Sequence, residues 1–146
     1  MSKGNTFEND LLALILNNVN AALVGDATGL RGSTTAGSLY VSLHSADPGE
    51  AGDQTTSEAA YTSYSRVAVT RAGTGWTVET GTATNAASIN FPQCTGGSAT
   101  VTHFGIGTAN TGAGKLLYKG ALSASLSVSN GIIPQFVAGN LAISED

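Results

Sequence analysis

The chain has 146 residues, a formal net charge of -4 and only six Lys and Arg, which stand apart at Lys3, Arg31, Arg66, Arg71, Lys115 and Lys119. A length of this order fits one domain with its own core, and scattered cations speak against binding nucleic acid, whose phosphates need clustered positive charge. Charged residues make up 11%, against about 25% in ordinary domains, while hydrophobic residues make up 41%, which excludes a disordered chain.

The first predicted element is a helix from Asn5 to Val24, within an N-terminal helical segment of residues 1–24. Asn5 or Thr6 serves as N-cap, Glu8 lies in the first turn, and Gly25 is the stop. Phe7, Leu11 and Ile15 share one line of this helix, and Leu12, Leu16, Val19 and Leu23 share the next. A stripe this wide needs cover on more than one side, either from the chain's own sheet or from a neighbouring subunit. The run Leu11 to Leu16 is far shorter than the roughly 20 residues of a membrane span, and Glu8 and Asp10 beside it do not suit a signal peptide.

Residues 25–38, rich in Gly, Ser and Thr, read as a connection. From Leu39 the period changes to alternation, and 39–146 reads as a β-sandwich domain. Strands are predicted at Leu39–Leu43, Ser65–Thr70, Trp76–Val78, Ser88–Phe91, Thr100–Ile106, Leu116–Leu122, Ser125–Ser129, Ile132–Phe136 and Leu141–Ile143. Gly73-Thr74-Gly75 and Ser129-Asn130-Gly131 read as hairpin connections, and residues 47–60 as a long exposed loop. The fold class is therefore mainly β, an antiparallel β-sandwich of jelly-roll or immunoglobulin-like type with one N-terminal α-helix.

Candidate chemistry is thin. Asp47, Glu50, Asp53 and Glu58 are close in sequence but lack the spacing of a calcium loop, so they read as a solvated acidic segment. Gly107 to Lys115 resembles a phosphate-binding loop but has Ala109 where a glycine is required and Leu116 where a hydroxyl is required. His44 and His103 are not grouped with further ligands, and no nucleophile elbow is present. No catalytic residue, cofactor or metal site is expected. Tyr61 and Tyr64, beside the long loop, are the expected surface aromatics. Cys94, the only cysteine, cannot form an internal disulfide and suits a reducing compartment of synthesis.

Several stretches carry a family likeness: Asn5-Thr6-Phe7-Glu8-Asn9-Asp10-Leu11-Leu12, the segment Leu39 to Gly52, Tyr64-Ser65-Arg66-Val67-Ala68-Val69 followed by Gly75-Trp76, Thr102 to Gly107, Gly112 to Tyr118, and the closing Ile143-Ser144-Glu145-Asp146. Over nearly its whole length the chain resembles a family of small virion proteins of tailed bacteriophages, often labelled tail-fibre-like. Gly25 to Gly37 is a longer insert than the family pattern has. The resemblance implies a non-enzymatic particle component whose partners are other virion proteins, either the major capsid protein or tail proteins, together with further copies of itself.

The sequence does not repeat as a fibre shaft does, so the expected role is capsid decoration or cementing through multivalent contacts. A tail or tail-fibre adhesion protein is the alternative, and a carbohydrate-binding module the second. The expected contact residues are Phe7, Leu11, Leu12, Ile15, Leu16, Tyr61 and Tyr64, without nucleic acid or membrane.

Overall fold

The computed structural model describes residues 2–26 and 28–145. It contains one helix, α1 (Asn5–Asn17), and nine strands: β1 (Ser38–His44), β2 (Val67–Thr70), β3 (Trp76–Glu79), β4 (Thr82–Asn85), β5 (Ile89–Asn90), β6 (Ser98–Gly107), β7 (Leu116–Ser129), β8 (Gln135–Phe136) and β9 (Ala142–Ser144). The chain is mainly β with antiparallel sheets and an N-terminal helix, as its composition and alternation imply. Its residues cluster into two compact units.

The first unit lies within residues 1–38, 70–89 and 136–146. Its three-stranded sheet has the order β3-β4-β9. β3 and β4 form a hairpin, Glu79 opposite Thr82, and the two-residue turn places Thr80 at φ 49 and Gly81 at φ 74, the left-handed pair that matches strand twist. α1 packs on β3 and β4. Leu12, Leu16, Trp76, Ala83, Leu141 and Ile143 are buried. The helix therefore covers its own sheet, the first of the two arrangements its wide stripe allowed.

α1 differs from the sequence expectation at both ends. Its N-cap is Gly4, without a side-chain cap bond, and its last residue is Asn17 rather than Val24. Asn18 takes the left-handed conformation (φ 57), and the Val19 amide donates to the Ala13 carbonyl at 3.1 Å, the closure that ends many helices. Asn17, Asn18 and Asn20 are poor helix residues that accept turn geometry. That local preference overrides the apolar period running on through Val19 and Leu23.

Asn85 holds the end of this unit. Its side chain donates to the carbonyls of Ala87 (2.8 Å) and Val137 (2.9 Å) and accepts from the Leu141 amide (2.9 Å). These bonds satisfy a buried amide and bring Leu141 to the edge of β4, where β9 begins.

The second unit comprises 39–69 and 90–135. Its four-stranded sheet runs β2-β1-β6-β7, with β1 antiparallel to β6 and β6 antiparallel to β7. Val41, Leu43, Val101, Phe104, Ile106 and Val128 are buried. Val41 to His44 are all buried, so β1 is covered on both faces where a half-exposed strand would alternate.

Two expected hairpins are corrected here. β2 and β3, on either side of Gly73-Thr74-Gly75, belong to different sheets. After the Asn130-Gly131 turn the chain does not pair with β7. Cys94 donates its amide to Ile132, and Gly131 donates to Cys94. Residues 116–122 and 125–129, read as two strands, form the single strand β7.

Candidate interaction surfaces

In the first unit, residues 18–26 and 28–33 form a ribbon tied at its base by side chains. Asn18 donates from Nδ2 to the Ser33 carbonyl (2.8 Å) and accepts at Oδ1 from the Ser33 amide (2.6 Å). Asn20 Oδ1 accepts from the Gly32 amide (3.0 Å). Ala21 and Leu30 exchange two backbone bonds of 2.9 Å. Arg71 grips the adjoining helix end, its guanidinium donating to the carbonyls of Ile15 (2.6 Å), Leu14 (2.8 Å) and Ala36 (3.1 Å) and to Ser33 Oγ (3.2 Å). A cation here satisfies carbonyls that the helix leaves unpaired and complements its dipole.

The ribbon exposes what a chain normally hides. Leu23 is 81% exposed and Val19 53%, with Val24 and Leu30 also exposed. Four aliphatic side chains are thus exposed on one short segment whose base is anchored.

In the second unit a buried ion pair locks two loops together. Arg66, whose side chain is only 3% exposed, donates Nε to Glu58 Oε1 (2.7 Å) and Nη2 to Glu58 Oε2 (2.8 Å). Its remaining donors reach the carbonyls of Ala109 and Gly112, both at 2.8 Å. The two-pronged pairing is the strong geometry for arginine and carboxylate, and the Glu58 bonds hold the guanidinium pKa above its ordinary value. Tyr64 Oη donates to Glu58 Oε1 (2.9 Å) and accepts from the Leu43 amide (3.0 Å). Burial, ahead of every other influence, pushes its phenol well above the usual range.

Gln54 makes the second lock. It is fully buried, accepts from the Ala109 amide at Oε1 (2.9 Å), and its backbone N–H donates to the Ala113 carbonyl (2.9 Å). Its side chain lies over Gly107, where a β-carbon would collide with it. Two residues back on the same face, Gly105 makes room for Ser42 Oγ and His44 Nε2, each 2.7 Å from where its β-carbon would stand. Glycine at alternate positions of β6 thus forms a furrow filled by polar side chains. The Thr56 carbonyl accepts from His44 Nδ1 (2.8 Å), which leaves Nε2 to accept from the Ser42 hydroxyl (2.8 Å). Burial holds the imidazole pKa below its ordinary value.

The two loops bound a cleft of about 280 Å³ lined by Glu58, Tyr64, Ser65, Arg66 and residues 110–112. Its charged groups are already paired with each other and with backbone carbonyls.

The family described as Podophage GP4 fiber I protein gp80 matches residues 3–144. The chain belongs to that family. It is thereby a phage virion structural protein, as the likeness in its sequence implied, and its natural associates are other components of the virion. No curated protein matches it.

Within this fibre-protein family member the expected contact residues fall into three groups. Leu12 and Leu16 are spent on the core of the first unit, while Leu11 and Ile15 are half-buried beside them. Phe7 is 40% exposed and remains available. Tyr61 is 2% exposed, not the surface aromatic expected. Its hydroxyl donates to the Pro92 carbonyl (3.0 Å), its ring meets Tyr64 edge-on at 5.3 Å, and burial pushes its phenol up to about 12. Tyr64 stacks on Phe91 at 6.4 Å between ring centres.

The acidic loop is also less free than expected. Asp47 and Glu50 pair with Lys119 at 3.0 and 3.2 Å, Asp53 caps Thr55 (2.8 Å), and Glu58 holds Arg66. Among the described residues no helix is long and apolar enough to cross a membrane.

Proposed function

We propose that the chain is a non-enzymatic building block of a short fibre on the virion, attached to its neighbours through the ribbon of residues 18–26 and 28–33. The observation that carries this reading is the exposure of Val19, Leu23, Val24 and Leu30 on a ribbon whose base is fixed by Asn18, Asn20 and Arg71. A rigid base means that little conformational entropy is lost when the tip docks, and apolar surface removed from water supplies the driving force. The word fiber in the family description supports the fibre over the capsid shell.

Further support comes from the state of the polar groups that catalysis would need. His44, Glu58 and Arg66 each spend their hydrogen bonds inside the protein, and His44 is fully buried. Synthesis in the host cytoplasm and association with further copies of the chain belong to the same reading. Repeated weak contacts among copies sum to a persistent attachment.

The test separates heads from tails of gently disrupted particles and counts the chain in each fraction by mass spectrometry. A small, fixed copy number with tails or a fibre-bearing vertex supports the proposal. Many copies spread over the heads would replace it with capsid decoration, the role first expected from the sequence. Leu23→Asp is expected to leave the melting temperature unchanged, because the side chain buries almost nothing within the chain, and to lower incorporation into particles at least tenfold. Normal incorporation of that variant would remove the ribbon from the attachment.

A further inference from the structure

β7 lies at the end of the four-strand order, so only one of its edges pairs within the sheet. It is also the longest strand, with 14 residues. Proteins normally protect such an edge with charge, proline, brevity or a bulge, and the irregularities of this strand's pairing fall between Val101 and His103 and between Ile106 and Gly107 of β6. From Gly120 to Ser129 this edge has neither a charged residue nor a proline.

Its pairing with β6 is interrupted in the middle of that stretch. Val101 faces Leu126 and His103 faces Ala121, so β7 advances five residues while β6 advances two. Leu122 to Ser125 remain extended yet stand outside the β6 register, with Ser123, Ala124 and Ser125 exposed. The residues around this interruption, Leu122-Ser123-Ala124-Ser125-Leu126, read the same in both directions.

We propose that this edge is a self-association site whose occupant is β7 of a second copy, added antiparallel about a two-fold axis at Ala124. An antiparallel strand is complementary to its own copy because both offer the same alternation of amide and carbonyl groups. In this register Leu122 faces the copy's Leu126, Ser123 faces its Ser125, and Ala124 faces Ala124. Every cross-strand pair is apolar on apolar or hydroxyl on hydroxyl, the matched arrangement for neighbouring strands. Without charge on this stretch there is no like-charge repulsion between copies, and small side chains let the backbones approach. The pairing merges two four-stranded sheets into one through backbone bonds, the mode by which extended edges recruit partners. This deepens the multi-copy reading above and rests on it only for its place in the particle.

The full-length Ala124→Cys variant tests the register directly. Facing Cα atoms of antiparallel strands are about 4.5 to 5.5 Å apart, within the span of a disulfide, and the native Cys94 is buried. Mild oxidation is expected to convert most of this variant to a covalent dimer and to leave the exposed Asn140→Cys control uncoupled. Light scattering should give twice the chain mass for the wild type and the single mass for Ala124→Pro, which removes the central amide. If that variant misfolds, Ser123→Lys with Ser125→Lys sets lysine against lysine and should give the same single mass with a normal circular-dichroism melt. A monomeric wild type, or an oligomer that survives these changes without the disulfide, overturns the proposal. Either outcome leaves the chain's location in the particle, counted separately in head and tail fractions, untouched.

Discussion

Arg66 and Arg71 do comparable work in the two units by different electrostatics. Arg71 is surrounded by carbonyls and a hydroxyl and has no carboxylate among its bonded partners. Arg66 meets a carboxylate with two of its donors and carbonyls with the rest. The difference teaches where a loss is severe. Removing Arg71 frees carbonyls near a helix end that water can reach, whereas removing Arg66 strands a carboxylate that gave up most of its hydration for the pair. In a chain with only six Lys and Arg, two of them organise the irregular segments of their units.

Breaking the stronger device comes first. Arg66→Met should lower stability by about 3–5 kcal/mol, the usual cost of orphaning one partner of a buried pair, with chemical denaturation as the measurement. Double replacement of Arg66 and Glu58 by apolar residues should cost less than the single change. If the single variant loses under about 1 kcal/mol, the pair is effectively solvated and the contrast with Arg71 fails.

Arg71→Met should cost about 1.5–3 kcal/mol, the range for hydrogen bonds to a charged group. Hydrogen exchange should quicken first at the end of α1 and in the ribbon, because those carbonyls and Ser33 are its partners. A uniform acceleration across the first unit would mean that Arg71 supports the core instead of the helix end.

The smallest effect concerns acid. His44 has its pKa held below the ordinary 6.5 by burial, so the folded state resists the proton that the unfolded chain accepts. Its contribution is complete above about pH 6.5 and is lost as pH falls below that value toward the lower folded pKa. Denaturation midpoints for wild type and His44→Gln should therefore converge between pH 7.5 and 5.5. Parallel curves over that range would show that His44 does not set the slope.

Much of the β architecture was legible because bulky residues alternate in β1, β3 and β6, and those strands lie within a residue or two of where alternation puts them. β4 was not legible, since Thr82-Ala83-Thr84-Asn85 directs only Ala83 and Asn85 inward, and small or polar inward residues carry no hydropathy signal. The helix was read too long because period was weighed above the three asparagines at its end. Residues 47–60 read as an exposed loop because they have no clear period and collect Gly, Asp, Gln and Thr. Glu58 is covered through Arg66, which itself reaches Ala109 and Gly112, and Gln54 lies against Gly107 and Ala109, more than forty residues on. A local reading does not join such positions. Tyr61 was misplaced for the same reason, since its cover comes from Pro92. The first part of the ribbon lay inside the expected helix, where Val19 and Leu23 continued the apolar stripe, and the rest lay in the expected Gly/Ser/Thr-rich connection.

The pairing of β4 with β9, Thr82 opposite Ser144, also sets an order of events during synthesis. Every segment of the second unit precedes residue 136, so that unit has all its strands as soon as β7 and the turn after it leave the ribosome. The sheet beneath α1 lacks its third strand until residues 142–144 emerge, and contacts so distant in sequence form late. A nascent chain therefore holds a finished loop-bearing unit while the ribbon-bearing one is still open.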